Sequence, residues 1–356
     1  MRRLALLWTA LLAAPLAAQV PAPWYGRGVH SSQAVTADQA PPIAARGVAA
    51  VGLTVSSMER SVRFYTDVLT FAPVSDTVVG AAPFGQLVGV RGARVRVVRL
   101  RLGDELLELT QYLDAQSRAP PADSRSNDRW FQHVAIIVSD MDRAFARLEA
   151  AGVRHASTGG PQELPAWNPN AGGIKAFYFR DPDGHPLEIL QFPAGKGLAK
   201  WHQPGDRLFL GIDHTAIVVR DTDRSLAFYH DALGLSVVGR SENYGPEQER
   251  LNAVSGARLR ITALRGSEGP GIEFLEYLSP RDGRPYPRNE RASDLVHWQT
   301  RVLVPDADAA LSRLEVEGAP FVSPGAVALP PGLVAEGNTG LQVRDPDGHV
   351  VQLIAP

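Results

Sequence analysis

The 356-residue chain contains no cysteine, and this absence removes several classes of chemistry. Without a thiol the protein can form no disulfide bond, no thiolate ligand to a metal and no covalent intermediate on sulfur. Lipid attachment through an N-terminal cysteine is excluded as well. The stability of the folded protein must therefore come from its packed core alone.

The chain also lacks an excess of charge of either sign. Lysine and arginine number 36, aspartate and glutamate number 38, and the formal net charge is −2. Proteins that bind nucleic acid usually carry clustered lysine and arginine, which this sequence does not show. Nucleic acid is therefore excluded as a partner. The remaining composition is that of an ordinary globular protein, and the length favours two domains.

The first apolar run is too short to span a membrane comfortably. In "MRRLALLWTALLAAPLAAQ" two arginines precede an apolar stretch that ends in small residues, as in a cleavable secretory signal. A spanning helix needs about 20 apolar residues, so an uncleaved anchor is the less favoured alternative. We predict a signal peptide over residues 1–18, a mature chain that begins near Gln19 and is periplasmic or secreted, and no membrane contact after cleavage. Residues 19–46, rich in Ala, Pro and Gly, indicate a loosely packed arm.

One six-residue segment, "RDPDGH", occurs at Arg180–His185 and again 164 positions later at Arg344–His349. The same offset aligns "MERSVRFYTDVL", which begins at Met58, with "TDRSLAFYHDAL", which begins at Thr222. An offset of 166 aligns "DMDRAFARLEAAG" from Asp140 with "DADAALSRLEVEG" from Asp306. A persistent offset of this kind indicates a tandem duplication.

Each half of the duplication divides again into two modules. Every module opens with an alternating apolar run, continues into a segment with a period near 3.6, and ends in further alternating runs. These periods predict the order strand, helix, three strands, and an α+β fold. We number the modules 1 to 4 along the chain. Modules 1 and 2 form a predicted first domain over residues 47–193, a linker covers 194–207, and modules 3 and 4 form a second domain over 208–356.

Over about residues 47 to 356 this pattern resembles the vicinal oxygen chelate superfamily. The residues that carry the resemblance are "FYxDxL" in the first helix of each half and "RDPDG" before a final strand. The family includes glyoxalase I, methylmalonyl-CoA epimerase, extradiol dioxygenases and antibiotic-sequestering proteins. The resemblance implies paired βαβββ modules, the glyoxalase/bleomycin resistance/dioxygenase fold. It does not fix the function, because one fold serves many activities.

The resemblance also implies where metal ligands would lie. In the family two modules curl their sheets into a cup, and ligands come from the first and last strand of each module. Glu276 has the opposite strand parity to Glu273, so at most one of the two faces the cup, and we choose Glu273. His297 is an alternative to Gln299. Carried over by the repeat offsets, the positions are, from module 1 to module 4, Ala50 and Glu108, His133 and Glu188, His214 and Glu273, and Gln299 and Gln352.

The pairing of the modules decides whether a complete site exists. If neighbours pair, both cups are incomplete. If the halves exchange modules, the cup of modules 2 and 3 collects His133, Glu188, His214 and Glu273, and every loss falls in the cup of modules 1 and 4. We therefore predict the exchanged pairing and one metal ion per chain. Arg301 shares the parity of Gln299 and could pair with a carboxylate in the second of these cups, although a solvated position at the strand end is equally open.

Two imidazoles and two carboxylates suit Zn, Ni, Mn, Co or Fe about equally as one divalent ion. The resemblance implies that such an ion stabilises the enediolate formed when a proton leaves a carbon beside a carbonyl, with Glu188 or Glu273 as the base. We therefore expect a metal-dependent lyase or isomerase acting on a small oxygenated substrate. An extradiol-type dioxygenase and a metal-free binding protein for a drug or metabolite remain alternatives. The chain carries all four modules, so a monomer is possible.

Two expectations concern other residues. His185 and His349 follow the glycines of the repeated turns, and we expect both at the surface. The Gly159–Gly173 loop, which contains Trp167, could cover a pocket or form a solvated connection.

Overall fold

The computed structural model describes residues 41–80, 82–329 and 336–356, and four modules follow one another in that part of the chain. Each opens with a strand and a helix and ends in further strands, which confirms the predicted α+β class and element order. The predicted signal peptide lies outside the described residues, as does most of the arm. Within the described ranges, no helix has the length and apolar character needed to cross a membrane.

The first half contains modules 1 and 2. The elements of module 1 are β1 (Gly47–Thr54), α1 (Met58–Arg63) with a π-helical continuation (Phe64–Val68), β2 (Ala72–Val79), α2 (Ala82–Leu87), β3 (Val95–Leu102) and β4 (Glu105–Tyr112). Those of module 2 are β5 (Gln132–Val138), α3 (Met141–Ala150), β6 (Arg154–His155), β7 (Gln162–Glu163), β8 (Lys175–Arg180) and β9 (Pro186–Gln191).

A short 3₁₀ turn, Ala199–His202, lies in the segment between the halves. The elements of module 3 are β10 (Phe209–Val219), α4 (Thr222–Leu226) with a π-helical continuation (Ala227–Ala232), β11 (Ser236–Tyr244), α5 (Pro246–Asn252), β12 (Arg258–Arg265) and β13 (Gly271–Ser279). Those of module 4 are β14 (Trp298–Leu303), α6 (Ala307–Val316), β15 (Val327–Ala328), β16 (Thr339–Arg344) and β17 (Val350–Ala355). Helices α2 and α5 are additions to the predicted pattern.

The first helix of every module begins after a side chain that accepts a hydrogen bond from the first turn. These residues are Ser57, Asp140, Asp221 and Asp306. Serine and aspartate are favoured here because their oxygens satisfy backbone N–H groups that have no partner within the helix. The same local signal therefore ends the first strand and starts the helix in all four modules.

The strands form two sheets, and each sheet combines one module from each half. One sheet has the order β15-β16-β17-β14-β1-β4-β3-β2, and the other has β11-β12-β13-β10-β5-β9-β8-β6. Modules 1 and 4 therefore join through the antiparallel pair β1 and β14, and modules 2 and 3 join through β10 and β5. This strand order confirms the exchanged pairing. We call the two concave faces the 1–4 cup and the 2–3 cup.

The opposite faces of the sheets join the modules differently. One apolar core packs α1 and α3 between modules 1 and 2, with Tyr65, Leu100 and Phe177 fully buried. A second core packs α4 and α6 between modules 3 and 4, around Tyr229 and Phe274. Burial of such large side chains stabilises each core by roughly 1.5–3 kcal/mol per residue. The helix-side cores thus join sequence neighbours, whereas the cups join the two halves.

The histidines of the repeated turns are buried, so the expectation that they lie at the surface is wrong. His185 contacts Asp181 through Nδ1 at 2.8 Å and donates from Nε2 to the backbone oxygen of Leu295 at 2.9 Å. His349 donates from Nε2 to the backbone oxygen of Val218 at 3.0 Å. Each turn therefore fastens its own module to a different one, and this long-range contact explains the burial.

The last residues of the predicted arm are also packed. Ile43 and Ala45 are buried, and their backbone N–H groups donate to Ala232 and Leu233, each at 2.8 Å. The prediction of loose packing is therefore wrong at these two positions. They complete the core of modules 3 and 4 ahead of β1.

Candidate metal centre

The two histidines of the predicted site meet where β5 pairs with β10. His133 lies opposite Ala216, and His214 lies opposite Ala135. The centroids of the two imidazole rings are 5.8 Å apart. Because each histidine faces an alanine across the pair, no bulky side chain separates the two rings.

The two glutamates come from the strands that flank this pair. Glu188 on β9 is in register with Ala135, and Glu273 on β13 is in register with Ala216. Each alanine therefore has a histidine on one side and a glutamate on the other. The four side chains lie on the same face of the sheet, in an arrangement with approximate two-fold symmetry.

In three of the four side chains, the distances between the candidate ligand atoms are already close to those between the ligands of one metal ion. Glu188 Oε2 is 3.2 Å from His133 Nε2 and 3.8 Å from His214 Nε2. One ligand atom from each of these residues lies within 4.8 Å of the others, whereas Glu273 is not part of that group. Its Oε1 is 3.7 Å from His214 Nε2. Ligands held at about 2.0–2.2 Å from one ion stand roughly 3–4 Å apart, so small side-chain movements would suffice.

The histidines carry ring nitrogens that have no hydrogen-bond partner among the residues that the structure describes. These atoms are His133 Nδ1, His133 Nε2 and His214 Nε2, and all are buried. A buried polar atom left without a hydrogen bond costs about 1–3 kcal/mol. A bound ion would satisfy both Nε2 atoms, so the residues present fit a divalent metal.

The electrostatics of the site also favour a cation. Although burial opposes it, the negative charge of Glu273, the hydrogen bond to Asp213 and the charge of Glu188 raise the pKa of His214 to about 9. Burial, together with the charge of Glu188, raises the pKa of Glu273 despite the opposing effect of His214. Carboxylates thus outnumber positive groups here, and a divalent ion would balance them.

A cavity of about 300 Å³ opens over Glu188, His214 and Glu273. Its lining is mostly apolar and includes Ile174 and Leu190 of module 2, while Arg240, Asn243 and Gln248 of module 3 add polar groups. A concave, mostly apolar space with a few convergent polar groups is typical of a small-molecule site.

The 159–173 loop contributes to this cavity, as one of the two sequence alternatives suggested. Asn170 lines the cavity and donates from its amide to the backbone oxygen of Arg240 at 2.6 Å. Trp167 itself is 51% exposed and packs on Tyr244 with ring centroids 4.4 Å apart. The loop therefore spans from module 2 to the edge strand of module 3.

The 1–4 cup holds an ion-pair network. Arg301 donates from Nη2 to Glu108 Oε1 at 2.7 Å and from Nε to Gln352 Oε1 at 2.8 Å. Arg99, which the sequence analysis missed, donates from Nε to Glu108 Oε2 at 3.1 Å. Of the two alternatives that the sequence left open for Arg301, the structure shows the pairing with a carboxylate, and the residue is 3% exposed.

Arg301 also makes the lining of the 1–4 cup different from that of the 2–3 cup. It lies opposite Ala50 and in register with Gln352. The corresponding position of the 2–3 cup is occupied by the small Ala135. Burial alone would raise the pKa of Glu108, but Arg301 and Arg99 hold that pKa below its usual range. The guanidinium groups therefore supply the positive charge that the carboxylate requires.

The remaining predicted positions agree with this division. Gln299 accepts a hydrogen bond from Gln342 at 2.9 Å, while His297 contacts Glu290 at 2.5 Å and does not replace Gln299. Glu276 accepts a hydrogen bond from the backbone N–H of Thr222 at 3.2 Å. Glu276 therefore helps to start α4, which agrees with the choice of Glu273 by strand parity.

Comparison with known proteins identifies related sequences and structures. Residues 47–189 and 211–353 match the family model described as the Glyoxalase/Bleomycin resistance protein/Dioxygenase superfamily. A lactoylglutathione lyase of Schizosaccharomyces pombe (strain 972 / ATCC 24843) is 23% identical over an alignment of 279 residues, and the match covers 76% of this chain and 85% of that protein.

Two solved structures share the fold. Glyoxalase I from Zea mays has a TM-score of 0.58 at 15% identity, with 86% of this chain and 92% of that chain covered. A putative dioxygenase from Bacillus subtilis subsp. subtilis str. 168 has a TM-score of 0.54 at 15% identity, with 89% and 86% covered. At this identity the likeness shows the fold alone.

We predict that Arg301→Ala destabilises the protein by about 3–5 kcal/mol, because it removes one partner of a buried carboxylate. Urea unfolding of the purified chain measures this loss. The control is Arg94→Ala, which breaks an ion pair with Asp114 whose side chains are each 56% exposed and should cost about 0–1 kcal/mol. Equal costs for the two variants would contradict the assignment of Arg301.

Proposed function

The chain belongs to the Glyoxalase/Bleomycin resistance protein/Dioxygenase superfamily, and from this membership we propose that it is a divalent-metal-dependent lyase or isomerase. It removes a proton from a carbon beside a carbonyl group of a small oxygenated substrate. One observation carries the proposal: His133 and Glu188 of the first half lie beside His214 of the second, and a cavity opens over Glu188, His214 and Glu273. The Schizosaccharomyces pombe relative is named as a lyase, which supports this reaction class.

His133 and His214 would hold the ion through Nε2, and Glu188 would hold it through a carboxylate oxygen. Glu273 completes a set of two imidazoles and two carboxylates, whose charge balances a divalent cation. Such a set is compatible with Zn, Ni, Mn, Co or Fe. When bound, the ion supplies a Lewis acid that polarises a substrate oxygen and stabilises the negative charge that develops there.

We assign the role of base to Glu273 rather than Glu188. Glu188 lies near both Nε2 atoms and its side chain is 4% exposed, as expected of a ligand. The Glu273 side chain is 21% exposed, borders the cavity and lies outside the group of three close ligand atoms. Its carboxylate can therefore take a proton from a substrate carbon and return it to a neighbouring atom.

The cavity lining would hold a substrate that has both apolar and polar parts. The apolar residues, which include Leu190, would cover a hydrocarbon portion and exclude water from the reacting carbon. Arg240 and Asn243 would receive hydrogen-bonding or anionic groups. The partner is thus a small molecule, and one chain supplies every residue of the site, so a monomer suffices.

A dioxygenase is the second candidate, and one observation favours it. The three residues that lie closest together are two histidines and one carboxylate, the donor set of non-haem iron oxygenases. The position of Glu273 favours the lyase or isomerase instead, because this residue is the register counterpart of Glu188 across the β5–β10 pair. A dioxygenase would not need a carboxylate at Glu273.

We also propose that the protein is exported to the periplasm or secreted, on the basis of the arginines, apolar run and small residues of the first 18 positions. Mass spectrometry of the exported protein should then find an N-terminus near Gln19. An intact Met1 in the mature protein would contradict cleavage and indicate an anchor.

We expect the purified protein to bind about one divalent ion per chain. His133→Ala and His214→Ala should each lose most of it, since each removes a ligand. Gln352→Ala, at the position of the 1–4 cup that corresponds to Glu188, should keep it. Elemental analysis after dialysis against Zn, Ni, Mn, Co and Fe salts in turn measures this content. If the unmodified protein retains none of these metals, a metal-free binding function replaces the proposal.

Glu273→Gln should retain the ion but lower the rate of proton removal by about 10²–10⁴-fold, because the amide cannot accept the proton. NMR can follow exchange of carbon-bound hydrogen in D₂O over a panel of hydroxyketones, 2-oxoaldehydes and their thiol adducts. The matched control is Glu276→Gln, on the same strand but facing away from the cavity, which should leave exchange unchanged. Full exchange in Glu273→Gln on a substrate of the unmodified protein would rule out Glu273 as the base.

A further inference from the structure

The ring of His214 is held from the side opposite to its candidate ligand atom. Its Nδ1 lies 2.9 Å from Asp213 Oδ2. A carboxylate can only accept, so Nδ1 carries the proton and donates it. In the neutral ring, Nε2 then presents a lone pair toward the site, which is the state that a metal ion requires.

A contact between neighbouring residues on a strand needs a local irregularity. In a regular strand successive side chains point to opposite faces, which would separate Asp213 from His214. The register between β10 and β5 shifts between Ile212 and His214, so Asp213 is an extra residue in the strand. A bulge of this kind redirects a side chain. The backbone thus brings the carboxylate beside the imidazole.

The second oxygen of this carboxylate is also fully engaged. Asp213 Oδ1 accepts from Trp201 Nε1 at 2.9 Å and from Arg265 Nη2 at 2.7 Å. Trp201 belongs to the segment that connects the two halves, and Arg265 ends β12. Three donors from three different parts of the chain therefore fix the carboxylate in one orientation.

Among the described residues, this pairing of a bulge carboxylate with a histidine occurs in the 2–3 cup and not at the equivalent position of the 1–4 cup. The 1–4 cup has the same register shift, between Val48 and Ala50, but the extra residue there is Ala49. At the 164-residue offset, Ala49 and Ala50 replace Asp213 and His214. The carboxylate and the histidine are thus absent together. His133 has no such support, since its Nδ1 is without a partner in the described part of the chain.

We propose that Asp213 is a positioning residue of the metal centre, which fixes the ring of His214 with Nε2 free to bind a divalent ion. Trp201 and Arg265 hold Asp213 in place, so the segment between the halves contributes to metal affinity. The inference rests on the proposed function, because it requires that the 2–3 cup binds an ion. Asp213 acts on the ion through His214.

Asp213→Asn tests this role with little change in volume. The amide offers one acceptor oxygen and one donor group where three donors converge, so it cannot satisfy His214, Trp201 and Arg265 together. We expect the affinity for Co²⁺ to fall about 10–100-fold, the usual effect of losing a carboxylate that supports a ligating histidine. Competition with a chromophoric chelator measures the affinity, and the visible spectrum of bound Co²⁺ should shift.

A milder variant tests the same contacts by changing a residue that holds Asp213. Trp201→Phe removes one hydrogen bond from Asp213 and leaves every ligand in place. A hydrogen bond contributes about 0.5–1.5 kcal/mol, so the affinity for Co²⁺ should fall about 2- to 10-fold. This variant keeps the proposal testable if Asp213→Asn fails to fold.

The control is Asp181→Asn, which removes a buried carboxylate with the same kind of contact, 2.8 Å to His185, outside the 2–3 cup. It should lower the melting temperature and leave the Co²⁺ affinity of the folded protein unchanged. If the unmodified protein binds no Co²⁺, the proposed function fails and this inference with it. If the unmodified protein binds Co²⁺ and both Asp213→Asn and Trp201→Phe bind it equally well, the function stands and the positioning role is wrong.

Discussion

The antiparallel pairing of β5 with β10 is the constraint on which the candidate site depends. Its register sets His133 opposite Ala216 and His214 opposite Ala135, and the parallel strands on either side then add one glutamate each. A shift of one residue would turn all of these side chains to the opposite face. The pairing joins two halves of the sequence, so neither half can form the site alone. The helix-side cores reinforce this dependence, because they join each module to its neighbour in the chain rather than to its partner in the sheet.

The two cups balance their buried carboxylates in different ways. In the 1–4 cup, Arg301 and Arg99 pair with Glu108. Arg301 occupies a position whose equivalent in the 2–3 cup is a small alanine. In the 2–3 cup, carboxylates surround His133 and His214, whose Nε2 atoms have no hydrogen-bond partner in the described structure, and the balancing charge would come from an ion. A buried carboxylate without a counter-charge is costly in either cup. The repeat thus provides two equivalent frameworks, and in the 1–4 cup the balancing positive charge comes from side chains.

Much of this structure could be predicted because the relevant signals are periodic. Repeat offsets and strand parity identified the four modules and the choice of Glu273 over Glu276, and they left a pairing of Arg301 with a carboxylate as one of two alternatives. The missed features depend on contacts that no local pattern contains. Strand alternation places Asp213 away from the site, and only the bulge in β10 reverses this. A histidine after a turn glycine is usually exposed, but His185 is buried because it reaches a backbone oxygen of module 4. Such contacts appear only once the modules are assembled.

Anomalous scattering from crystals grown with Co²⁺ or Zn²⁺ tests the central claim most directly, because it shows both the number of ions and their position. The account predicts one strong anomalous peak per chain, in the 2–3 cup, bounded by Nε2 of His133, Nε2 of His214 and the carboxylate of Glu188. The cup that contains Glu108 and Arg301 should show none. A peak in that second cup, or strong peaks only at the protein surface, would contradict a single metal centre built across the two halves.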